Sequence, residues 1–223
     1  MRQQFTDELK AVNDQLVDMT RLVGSAMERA TTSLLDGDLE LAESVIAADE
    51  RIDLLHASLE EQALVIIARQ APVATDLRVL VAGLRMSADL ERMGDLARHV
   101  AKVARLRYPG SAIPPELRAT ILEMGDVAEQ LVAKTGAIIA SRDISAAVEL
   151  ETDDDAMDRL HRGLFTELLS DDWSHGVEAA IDITLIGRYY ERFADHAVSV
   201  ARRVVYVVTG EHPAHEETQP TVA

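Results

Sequence analysis

The sequence repeats itself, and this repeat constrains the fold more than any other feature. Met19, Leu34, Asp38, Ala42, Asp49, Asp53 and His56 return 105 positions later as Met124, Ile139, Asp143, Ala147, Asp154, Asp158 and His161. Further on the interval is 100, so that Glu91-Arg92-Met93-Gly94-Asp95 matches Glu191-Arg192-Phe193-Ala194-Asp195. The change of interval falls where Leu169 to Gly176 replaces the segment around Pro72, and length changes of this kind belong in loops. Two copies of one supersecondary unit follow.

Each unit reads as three long helices. In the first, apolar residues at Leu9, Val12, Leu16, Met19, Leu22, Met27 and Leu34 recur every three or four positions, the period of an amphipathic helix over 5–35. Gly37 suits a left-handed C-terminal residue and Asp38 the N-cap of a second helix, 39–69. Gln70-Ala71-Pro72 ends that helix, because the residue before proline avoids the helical region, and a third helix spans 75–107. Tyr108 to Pro115 holds three prolines and a glycine and reads as a linker whose last proline opens the fourth helix. Helices over 116–141, 143–169 and 175–208 complete the second unit, with Trp173 expected to anchor its turn. The expected architecture is all-α, a tandem repeat of two antiparallel three-helix bundles: residues 1–108, a linker at 109–115, residues 116–210, and a disordered tail over 211–223.

Composition supports this and excludes several functions. Hydrophobic residues make up 48% of the chain and aromatics only 4%, the balance of packed helices. A net charge of -17 argues against nucleic acid or an anionic membrane surface as partner, since both require a basic face. The absence of cysteine removes disulfides, thiolate metal sites and thiol nucleophiles. With no signal-peptide core and no uninterrupted apolar run long enough to span a bilayer, a cytoplasmic location and no membrane span are expected.

The repeated residues include four carboxylate pairs at i, i+4: Asp49/Asp53, Glu91/Asp95, Asp154/Asp158 and Glu191/Asp195. Each pair projects from one helix face, where like charges repel by a few tenths of a kcal/mol. The two pairs of a unit lie at similar distances before and after its inter-helix turn, so antiparallel pairing places four carboxylates together. Such all-oxygen clusters suit divalent cations including magnesium, manganese and iron. Arginines, with Arg92 and Arg192 closest in sequence, are the other way to offset the charge, and solvent is the third. His56 and His161 follow each Asp/Asp pair by three residues, an Asp-x-x-His spacing similar to the Glu-x-x-His of di-metal bundles. His99 follows Asp95 by four, but Ser199 stands in its place in the second copy. No phosphate loop or nucleophile motif is present.

Three segments together carry a family resemblance: Arg69-Gln70-Ala71-Pro72-Val73-Ala74-Thr75-Asp76-Leu77-Arg78, Asp89-Leu90-Glu91-Arg92-Met93-Gly94-Asp95, and Tyr190-Glu191-Arg192-Phe193-Ala194-Asp195-His196. In order and spacing, from about Phe5 to Gly210, the chain resembles the PhoU family. The resemblance implies a non-enzymatic cytoplasmic adaptor that links a phosphate ABC transporter, through its ATPase subunit, to a sensor histidine kinase and restrains the phosphate-starvation response. It also implies homodimer formation, and binding of iron, zinc, manganese or magnesium by the acidic motif, met here at Asp49, Asp53, Glu91, Asp95, Asp154, Asp158, Glu191 and Asp195. The second unit lacks the Ala-Thr-Asp-Leu-Arg segment, so any role of Asp76 and Arg78 belongs to the first. The alternative on the same residues is a carboxylate-bridged di-metal oxidase or phosphatase.

Overall fold

The computed structural model describes residues 2–211, and among these there are six long helices and no strand. They are α1 (Arg2–Asp36), α2 (Leu39–Gln70), α3 (Ala74–Arg107), α4 (Arg118–Ser141), α5 (Ile144–Leu168) and α6 (Gly176–Thr209). Apart from Glu211, the expected tail lies outside the described residues.

Local chemistry sets the boundaries. Gly37 adopts φ 65°, and the Asp38 side chain accepts a hydrogen bond from the Leu41 amide at 2.9 Å, as the sequence predicts. In the second copy Asp143 caps α5 in the same way, accepting from the Ser145 and Ala146 amides. The residue before it is Arg142, which takes the left-handed conformation without the freedom of a glycine, at φ 58°. Pro115 does not open α4 directly; Pro115–Leu117 forms a 3-10 turn and α4 begins at Arg118. Trp173 anchors the α5–α6 turn as expected, packing against the core and donating its indole N–H to the Gly176 carbonyl at 3.0 Å.

The two units share one hydrophobic core. Helices α1, α3, α6 and α4 form a square, each touching its two neighbours, while α2 lies against α1 and α3 and α5 lies against α4 and α6. Arg78, near the start of α3, reaches the Val207 carbonyl near the end of α6, and Arg107 at the end of α3 reaches Asp182 near the start of α6. These two contacts fix α3 and α6 as antiparallel. Across the diagonal of the square, the buried Thr31 and Tyr190 hydroxyls hydrogen bond at 2.7 Å. Close approach of α1 and α4 depends on small residues, since a Cβ on Gly125 would lie 2.7 Å from Thr31 Cγ2 and one on Gly136 would lie 2.6 Å from Thr20 Oγ1.

The carboxylate pairs therefore sit on the outer flanks of the square, one group between α2 and α3 and its counterpart between α5 and α6. Gly94 permits the first approach: a Cβ there would meet Ile52 Cδ1 at 2.9 Å and Asp49 Oδ1 at 3.2 Å. Gly187 does the same on the other flank, facing Leu164 and His161.

Candidate metal centres

In the first unit Asp49 feels the charges of Asp53, Asp95 and Glu91, and an arginine sits between Asp49 and Asp95. Asp49 is 4% exposed and Asp95 8%, while Asp53 stands in solvent and Glu91 is half-buried. Arg98 Nη1 lies 2.9 Å from Asp49 Oδ2, and Arg98 Nη2 also donates to Asp95 Oδ1. Arg92 donates to the other Asp95 oxygen at 2.7 Å from a side chain that is mostly in water. The Asp49 contact is an ion pair without a well-aligned hydrogen bond, leaving Oδ2 and Arg98 Nε buried and incompletely satisfied. Burial raises the Asp49 carboxyl above its ordinary range; Arg98 opposes this, and Asp53, Asp95 and Glu91 add to it. Glu91 is raised in the same way, by burial and then by Asp95, with Arg92 opposing.

The second unit has the same carboxylates and no equivalent of Arg98. Position 198 is Val198, which is buried. Asp154 is half-buried, and burial followed by repulsion from Asp195, Asp158 and Glu191 pushes its carboxyl up to about 7. The Arg188 guanidinium donates to both oxygens of Glu191. Glu191 nevertheless stays above its ordinary range, through burial first and Asp195 second. Asp158 and Asp195 are both exposed.

The two histidines differ in parallel. His56 Nδ1 lies 3.1 Å from the Ser87 hydroxyl, and Nε2 lies 3.8 Å from Glu60. At the position matching Ser87 the second unit has Gly187, and His161 Nε2 is buried with no hydrogen-bond partner. Burial, then Arg188, lowers the affinity of His161 for a proton, which keeps a neutral, lone-pair-bearing ring. His99 is turned to another use, packing against Tyr189 with ring centroids 5.2 Å apart.

Among the described residues no three His, Asp or Glu side chains converge closely enough to hold a metal ion as they stand. The donor sets still separate the units. In the first, Arg98 bridges two of the four carboxylates, and a cation entering between Asp49 and Asp95 must displace that guanidinium. The second combines four mutually repelling carboxylates with an orphaned imidazole nitrogen, the chemistry that a divalent cation satisfies.

A model of the PhoU domain matches the chain twice, over residues 16–104 and 121–204. The chain belongs to the PhoU family. The two matches coincide with the two units, and each contains one carboxylate cluster. The phosphate-specific transport system accessory protein PhoU homolog 2 of Mycobacterium tuberculosis is 50% identical over 213 residues, covering 96% of this chain and all of that protein. Homolog 1 of Mycobacterium leprae is 48% identical over 99% of both chains. Among solved structures, PhoU from Pseudomonas aeruginosa superposes with a TM-score of 0.84 at 29% identity, over 93% of this chain and 100% of that one. The phosphate transport system regulatory protein PhoU of Streptococcus pneumoniae gives 0.85 at 25% identity, over 94% and 99%. The expectation of a tandem PhoU-like helical repeat is thus met.

Arg98 and Arg188 were not singled out from the sequence. A signal existed: the repeat gives Val198 for Arg98 and Ala88 for Arg188, so each cluster differs from its copy at one charged position.

Proposed function

We propose that this chain is a non-enzymatic, cytoplasmic regulator that restrains phosphate uptake and the phosphate-starvation response, acting between a phosphate ABC transporter and a sensor histidine kinase. The observation that carries the reading is end-to-end similarity, at 50% identity, to a mycobacterial accessory protein of a phosphate-specific transport system. The absence among the described residues of any helix long and apolar enough to cross a membrane agrees with a role beside a transporter rather than within it. The strongly acidic surface suits docking onto basic patches of the transporter's ATPase subunit and of the kinase. A homodimer completes the reading.

Metal binding belongs to the same proposal, with the units unequal. A divalent cation (iron, zinc, manganese or magnesium) is held in the second unit by Asp154, Asp158, Glu191 and Asp195, with His161 Nε2 as a fifth donor; when bound it neutralises the carboxylates there. In the first unit Arg98 performs that service for Asp49 and Asp95, and Asp53 and Glu91 remain beside them. Because each cluster joins an outer helix to the central square, its charge state governs how firmly α2 and α5 are held.

Affinity capture from phosphate-replete cells tests the regulatory reading. It predicts recovery of the transporter ATPase subunit and a sensor kinase, and derepression of starvation genes when the chain is deleted. Capture of neither partner, with an unchanged starvation response in the deletion strain, overturns it.

A further inference from the structure

The pseudo-symmetry that relates the carboxylate clusters also relates the two ends of the α3/α6 contact, and the two ends are built differently. At one end Arg107 closes the gap between the helices, donating to Asp182 at 2.5 and 3.0 Å and also to Glu178. At the other end the residues matching Glu178 and Asp182 are Arg78 and Ala82, and the one matching Arg107 is Val207. This end is tied further in, where Arg203 and His196 of α6 reach Asp89 of α3. It opens into a cavity of 590 Å³ between the first turns of α3 and the last turns of α6.

Four arginines line this cavity in a chain whose net charge is -17: Arg78 and Arg85 from α3, Arg202 and Arg203 from α6. Arg202 pairs with Glu151 at 2.8 Å and Arg203 with Asp89 at 2.9 Å. Arg78 and Arg85 have no ion pair with any carboxylate of the described residues. Arg78 is held in place, donating to the Val207 carbonyl at 3.2 Å and lying 5.7 Å from the centre of the Tyr206 ring. Arg85 is exposed on the rim. One carboxylate, Asp195, also borders the cavity, and an apolar floor comes from Leu77 and Val81. Here Arg78 and Arg85 border the cavity without a carboxylate partner among the described residues.

We infer that this cleft binds a small phosphate-bearing anion, its phosphate oxygens received by Arg78 and Arg85 in the bidentate geometry that guanidinium favours. The volume falls in the range of small-molecule sites. Inorganic phosphate uses the arginines alone, and an organic phosphomonoester adds Tyr206 and the apolar floor. The inference does not rest on the regulatory reading, which stands or falls on partner capture.

Calorimetric titration of the full chain at low salt, in EDTA, with inorganic phosphate, AMP and adenosine provides the test. Binding of phosphate or AMP but not adenosine is expected, weakened at least tenfold by Arg85→Ala and by raised salt. Equal affinity for phosphate and AMP identifies inorganic phosphate as the ligand; tighter AMP binding identifies an organic phosphate. Arg85 is exposed, so its variant folds, and Arg78→Lys independently tests the fork geometry by weakening binding while keeping the charge. Four results overturn the inference: no binding of phosphate or AMP at millimolar concentration; equal binding of adenosine and AMP; affinity unchanged in both arginine variants; or binding that occurs only with added metal.

Discussion

Arg98 Nη1 lies 2.9 Å from Asp49 Oδ2, and in the second unit the matching pair is Val198 and Asp154, with no charge to share. One difference within the repeat thus separates a cluster in which an arginine bridges two carboxylates from one in which the matching position is apolar. Arg98→Met keeps the stem and removes the charge, leaving Asp49 buried and unpaired. Loss of one partner of a fully buried pair costs about 3–5 kcal/mol; because Arg98 is partly exposed, about 2 kcal/mol is expected here. Urea denaturation in EDTA measures it, and added manganese is expected to restore the loss with an additional equivalent bound.

Asp154 gives a pH dependence of definite sign. Its folded-state carboxyl is raised to about 7 from an ordinary 3.8, so the native state binds its proton more tightly than the unfolded chain does. Stability from this group is full below about pH 4 and is lost as pH rises through 7. In EDTA the melting temperature is expected to fall by a few degrees from pH 5 to pH 8. Asp154→Asn flattens that fall and raises stability at pH 8, while weakening metal binding.

The contact between the units has the opposite sign. Burial alone would raise Asp89, but hydrogen bonds from His196 and Arg203 outweigh it and hold the carboxyl below its ordinary range. Ser199 donates to the same carboxylate at 3.2 Å. Its contribution is present above about pH 4, the ordinary carboxylate value, and is lost as pH falls through the lower folded value. Asp89→Ala is expected to cost about 2 kcal/mol, by leaving Arg203 and His196 without their acceptor. Chemical denaturation at pH 7 checks the magnitude.

Arg142 offers a gain. It holds φ 58° where the first unit has Gly37 at 65°, and a side chain in that region costs about 1–2 kcal/mol, part of which glycine returns through the entropy of the unfolded chain. Arg142→Gly is expected to stabilise by about 0.5 kcal/mol. A thermal melt showing destabilisation would argue that the Arg142 side chain has a packing role.

Much of this was legible in the sequence because it is local or repeated. Gly37-Asp38, Asp143 and the helix periodicity depend on near neighbours, and the repeat itself placed Asp49, Glu91, Asp154 and Glu191 in matching settings. Arg98 was not legible as a bridging group, since three residues after Asp95 it reads as an ordinary surface ion-pair partner. Only the approach of α2, allowed by Gly94, brings Asp49 to it. The union of both units into one square, with Thr31 bonded to Tyr190, likewise depends on contacts between residues far apart in the chain.

The claim that the two clusters are unequal is tested most directly by anomalous scattering from crystals of the manganese-loaded protein. The predicted result is a peak among Asp154, Asp158, Glu191 and Asp195, with Arg98 still bridging Asp49 and Asp95 and no peak beside them. A peak in the first cluster with Arg98 displaced, or none in the second, would contradict it.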